Sequence, residues 1–97
     1  MNSNRGIEKI IRRHKKELIE KYKIKRIGIF GSYMRGNQKK RSDIDILVDY
    51  REIPDLLKFV ELERYLEKLL KKKVDLVEKT GIRPQLKKII LGEVLYI

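Results

Sequence analysis

Ile7, Ile10, Ile11, Leu18, Ile19 and Tyr22 recur at helical intervals, with Arg12, Arg13, Lys15, Lys16 and Lys21 mostly on the other side. This spacing predicts an amphipathic helix over residues 4 to 22. His14 falls near its apolar edge and reads as a packing residue. Residues 24 to 30 are rich in β-branched and aromatic side chains and run into Gly31-Ser32, the pattern of a strand ending in a sharp turn. A second strand is predicted through Ile44-Asp45-Ile46-Leu47-Val48. Between them, Tyr33 to Arg41 should hold one or two helical turns and a polar loop, because Gly36-Asn37 stops a helix early. Pro54 and Asp55 open a longer helix over residues 55 to 72, with Leu56, Phe59, Val60, Leu66, Leu69 and Leu70 at helical spacing. Lys71, Lys72 and Lys73 suit the negative end of its dipole. Val74 to Val77 reads as a short strand, and Pro84 to Leu91 as a last helix stopped by Gly92. Strands alternating with helices predict an α/β (α+β) fold, a small mixed sheet packed with helices, in one domain over residues 1–97.

Composition narrows the chemistry. In 97 residues there is no cysteine, so neither a disulfide framework nor a thiolate nucleophile is available. A single histidine leaves a Ser-His-Asp triad or a His-rich zinc site without its parts. No apolar run reaches the roughly 20 residues needed to span a bilayer, which makes a cytoplasmic location the expectation. The net charge of +11 lies wholly in residues 1–42, where 14 Lys and Arg face 3 acids; the remainder is balanced at 11 of each sign. Such one-sided charge points to a polyanionic partner, which can be nucleotide phosphates, nucleic acid or an acidic protein surface.

Strand alternation puts Asp43 and Asp45 on one face and Ile44, Ile46 and Val48 on the other. Two carboxylates this close repel unless a proton or cation lies between them. Oxygen-only ligands suit Mg²⁺, which is commonly held by one or two carboxylates plus substrate phosphates. Asp75 repeats the pattern within Val74-Asp75-Leu76-Val77, and three carboxylates converge if the two strands are neighbours. Gly31 and Ser32 begin a turn that can offer backbone N–H groups to an anion, although the spacing is that of neither a Walker A loop nor a dinucleotide fingerprint. Asp49 reads as a surface residue at the strand end. Glu61, Glu63 and Glu67, alternating with Arg64 and Lys68, read as a solvated helix face. Tyr33 either lines the pocket at this turn or covers the core.

Taken together, Gly31-Ser32-Tyr33-Met34-Arg35-Gly36, five residues, and Ser42-Asp43-Ile44-Asp45-Ile46-Leu47-Val48 match G-S-x-x-R-G-x(5)-S-D-x-D-x-x-V without a gap. This resembles the signature of the minimal nucleotidyltransferases (MNT) of the DNA polymerase β superfamily, among them the MntA-like antitoxins of HEPN/MNT modules. Met34 stands where alanine is common, and Ile46 where leucine is. The resemblance implies a polymerase β-like nucleotidyltransferase fold and Mg²⁺-dependent transfer of AMP from ATP to a tyrosine of a HEPN-domain ribonuclease toxin, silencing it. Asp43, Asp45 and Asp75 would then be the catalytic metal ligands, holding two Mg²⁺ ions between them. Gly31 and Ser32 would contact the phosphates, and Arg35 would either touch phosphate or brace the turn.

Other classes fit parts of the pattern. A non-catalytic antitoxin could hold a nucleotide and neutralise its partner by contact. A basic nucleic-acid-binding module could use residues 5 to 41, although few aromatics interleave with the cations. A small-molecule acceptor such as an aminoglycoside would call for a second domain.

Overall fold

This computed structural model describes residues 4–31, 33 and 43–97. Among them run α1 (Asn4–Tyr22), β1 (Ile24–Phe30), β2 (Ile44–Tyr50), α2 (Leu56–Leu70), β3 (Val74–Glu78), α3 (Pro84–Glu93) and β4 (Leu95–Tyr96), with a single 3-10 turn at Lys79–Gly81. The helical turns expected after Tyr33 lie outside the described residues.

Each helix forms for a local reason. α1 buries Ile7, Ile11, Leu18 and Tyr22 along one stripe. α2 is capped by Asp55, whose side chain accepts the Lys58 N–H at 2.8 Å, a bond that contributes about 1 kcal/mol. It ends at Lys71 in the left-handed region, φ 54°, earlier than the periodicity predicts. Its buried stripe is Leu62, Leu66 and Leu70, whereas Leu56 is 77% exposed. Leu56 and Leu57 therefore lie off the core, whereas Phe59 packs against it. α3 starts at Pro84, runs through Gly92 and ends at Glu93. The two-residue β4 is too short to leave a periodic signal.

The strands form one mixed sheet in the order β3-β2-β1-β4. β1 pairs antiparallel with β2 and with β4, and β2 pairs parallel with β3. One face carries Ile27, Ile29, Ile44, Ile46, Val48, Val74 and Leu76 into the core cluster shared with α1 and α2. Ile44, Ile46 and Val48 are fully buried, and each buried aliphatic side chain contributes about 1.5–3 kcal/mol. A one-residue slip of β2 would send Asp45 into that core, so the hydrophobic pattern fixes which face the acid occupies. The second face is also covered in part, since Phe30 and Leu47 are buried there outside the main cluster.

Candidate functional site

The parallel pairing of β2 with β3 places Asp45 directly beside Asp75, and the antiparallel pairing places Phe30 on the other side of Asp45. Asp45 is half-buried, Asp75 is exposed, and Asp43 is exposed just ahead of β2. The two strands the sequence marked as acidic are thus neighbours, with Asp45 and Asp75 at one level and Asp43 at the strand entry.

β1 delivers Gly31 to the same place. Gly31 has φ +78°, and a Cβ built on it would come within 2.0 Å of Asp45 Oδ2. Both facts demand glycine: the left-handed backbone disfavours a side chain, and the carboxylate occupies the space one would need. The Gly31 N–H donates to Glu93 Oε1 at 3.1 Å. Glu93, at the end of α3, is a site neighbour that sequence reasoning missed, because an acid closing a helix 62 residues away carries no local signal. Tyr33 is 2% exposed and belongs to the core cluster, which decides for the core-covering alternative. Ser32, expected at the phosphates, and Arg35, expected either there or bracing the turn, lie outside the described residues.

The donor set consists of carboxylate oxygens, the kind a hard cation takes. Among the described residues no group of three or more acidic or histidine side chains is gathered closely enough to hold a metal unaided. An arrangement of two adjacent strand carboxylates fits an ion that completes its shell with substrate phosphate, since Mg²⁺ is rarely caged by protein alone.

Three acids behave differently from their sequence reading. Asp49 is not a surface residue: its side chain is 13% exposed and lies 3.4 Å from Arg26 and 3.7 Å from Lys79. Glu63 and Glu67 are not merely solvated. Glu67 Oε2 accepts the Val74 N–H at 3.0 Å and Glu63 Oε2 the Leu76 N–H at 3.2 Å, so α2 satisfies the outer edge of β3 on either side of Asp75. His14 Nδ1 lies 2.9 Å from the Ile10 carbonyl oxygen within α1, in keeping with a packing role.

At the far end of β2, about 17 Å from Asp45 by strand rise, a cavity of about 220 Å³ is lined by Tyr22, Tyr50, Pro54 and Lys58, among others. Burial, with a smaller contribution from Glu78, pushes the Tyr50 hydroxyl up to about 12, and this buried hydroxyl has no hydrogen-bond partner among the described residues. Asp43, Asp45 and Asp75 are not among the residues that line this cavity.

Residues 11–97 match the family model described as a nucleotidyltransferase domain. The chain belongs to that nucleotidyltransferase family. It is 55% identical over 91 residues to the protein adenylyltransferase MntA of Thermococcus cleftensis, covering 94% of this chain and 92% of that protein. A protein of Methanocaldococcus jannaschii with the same adenylyltransferase assignment is 62% identical over 76 residues, covering 78% of this chain and 88% of that one. Among solved structures, one assigned as a minimal nucleotidyltransferase superposes with TM-score 0.75 at 33% identity, covering 92% of this chain and 93% of that chain. A toxin–antitoxin structure with AMP-PNP gives TM-score 0.73 at 29% identity over 87% of this chain and 69% of that one. The nucleotidyltransferase fold expected from the motif is therefore the fold observed, and the chain is a nucleotidyltransferase by family.

Proposed function

We propose that this nucleotidyltransferase is a protein adenylyltransferase that moves AMP from ATP to a tyrosine of a HEPN-domain toxin and so acts as its antitoxin. The observation that carries the reading is the placement of Asp45 beside Asp75 next to the Gly31 turn. Support comes from the adenylyltransferase name of the Thermococcus cleftensis relative and from the toxin–antitoxin structure with AMP-PNP.

In this reading Asp43, Asp45 and Asp75 hold Mg²⁺, which when bound supplies the positive charge that offsets the triphosphate and the leaving pyrophosphate. Asp75, the more exposed of the paired acids, takes the proton of the attacking tyrosine hydroxyl. The new bond joins that oxygen to the α-phosphorus, the bond from the α-phosphorus to the bridging oxygen breaks, and pyrophosphate departs. Gly31 allows the turn to approach Asp45 closely, and Ser32 with the amides after it holds the β and γ phosphates. Arg35 either joins those phosphates or braces the turn. Arg35, Lys39, Lys40 and Arg41 lie in sequence between the Gly31 turn and Asp43 and supply positive charge that suits a triphosphate.

The test incubates the chain with labelled ATP, Mg²⁺ and a HEPN-domain toxin, the product of a neighbouring gene where one encodes such a protein, then follows label on the acceptor. Label should reach a tyrosine, and chelation by EDTA should abolish transfer. Asp45→Asn should reduce it by at least about a hundredfold while the melting temperature is retained. Undiminished transfer by the Asp45→Asn protein would sink the proposal.

A further inference from the structure

We propose that Glu93 is a positioning residue for the nucleotide turn: its carboxylate, by accepting the Gly31 N–H, holds Gly31 in the left-handed conformation that keeps the turn against Asp45. The proposal rests on the nucleotidyltransferase reading of the acid pair and deepens it by one residue.

Position 31 has to be glycine, because a Cβ would fall 2.0 Å from Asp45 Oδ2. Glycine is also the residue least able to keep a conformation by itself, since it visits both signs of φ at little cost. The clearance that Asp45 needs therefore brings a loss of rigidity at the point where the turn begins. A bond from the Gly31 amide to a fixed acceptor restores it, and Glu93 Oε1 at 3.1 Å is such an acceptor. As a carboxylate it makes a stronger bond than a neutral oxygen would.

Glu93 can serve because its own backbone is anchored to the strand that carries Gly31. It closes α3, where the Val94 N–H donates to the Ile90 carbonyl at 3.0 Å. The chain then enters β4, whose Leu95 and Tyr96 pair with Ile29 and Gly28. A Cβ at Gly28 would come within 2.7 Å of Val94 Cγ2 and 2.8 Å of the Leu95 carbonyl oxygen, so this second glycine lets the returning chain lie close on β1. The Ile97 N–H continues the ladder to the Ile27 carbonyl at 2.8 Å. β1 thus both presents Gly31 and anchors the segment that restrains it. Glu93 acts through Gly31 and touches no reacting atom in this account.

Three variants test the proposal. Glu93→Gln keeps an oxygen acceptor at the same reach, Glu93→Asp keeps the charge but falls short, and Glu93→Ala removes both. Amide hydrogen exchange at Gly31 in the nucleotide-free protein should stay protected in wild type and Glu93→Gln. It should quicken at least about tenfold in Glu93→Asp and Glu93→Ala. In the labelled-ATP assay kcat should remain within about threefold for Glu93→Gln and fall at least about tenfold for the other two. Loss of one charge-assisted bond should lower the melting temperatures of Glu93→Asp and Glu93→Ala by about 6–12 °C and leave both folded at the assay temperature. Unchanged exchange and kcat in both Glu93→Asp and Glu93→Ala would overturn the proposal, as would a Glu93→Gln protein as impaired as Glu93→Ala. If the wild-type protein transfers no label, the assigned reaction has failed instead, and the exchange rates still decide whether Glu93 holds the turn.

Discussion

Gly31 concentrates the constraints on single residues. Replacing it by alanine forces a side chain onto a left-handed backbone, costing about 1–3 kcal/mol, and pushes a methyl group into Asp45 Oδ2. Gly31→Ala should therefore fold with a lowered melting temperature and lose at least about a hundredfold in AMP transfer, measured by calorimetry and label incorporation. Tyr50 gives a prediction of another kind. Its folded-state pKa, pushed to about 12 mainly by burial, stands above the value near 10 expected of an unfolded chain. The native state holds the phenolic proton more tightly, so this contribution to stability is full below about pH 10 and is lost as pH rises toward 12. Tyr50→Phe should flatten the alkaline fall in melting temperature. At neutral pH it should cost little, because the hydroxyl has no partner to lose among the described residues.

At the level of elements, β3 depends on α2. As an edge strand it offers the Val74 and Leu76 amides outward, where Glu67 and Glu63 accept them. Each charge-assisted bond contributes about 1.5 kcal/mol. Glu63→Ala and Glu67→Ala should each lower the urea unfolding free energy by about that amount, and the double variant should also weaken AMP transfer by loosening the strand that carries Asp75. These roles were not legible in the sequence, because acids alternating with cations on a helix look the same whether they meet water or a sheet edge. Apart from the two-residue β4, the described strands and helices themselves were legible. Alternation of Ile44, Ile46 and Val48 with the acids specifies both a strand and its buried face, and the Ile7, Ile11, Leu18 and Tyr22 stripe specifies α1. Neighbouring placement of Asp45 and Asp75 could only be stated as a condition, since pairing between strands separated by a helix is a tertiary fact. Asp49 was misread for the same reason: Arg26 and Lys79 reach it from β1 and from the turn after β3.

Across the whole molecule, charge and compactness act together. The radius of gyration is 12.7 Å, close to the roughly 12.5 Å expected of one compact domain of this length. Within that envelope the net +11 belongs to residues 1–42. Affinity for Mg-ATP should therefore weaken about tenfold between roughly 0.05 and 0.5 M salt. Replacing Lys39, Lys40 and Arg41 with serine should reduce that dependence, with isothermal titration calorimetry as the check. The bond from Gly31 to Glu93 spans 62 residues and bears on the order of folding. The β1–β2 pairing closes a short loop and can form early, whereas the loop from Gly31 to Glu93 closes only after α2, β3 and α3 are in place, at a greater entropic cost. The acids can therefore be in register before the turn beside them is held, and competence for the reaction should be among the last properties the refolding chain acquires.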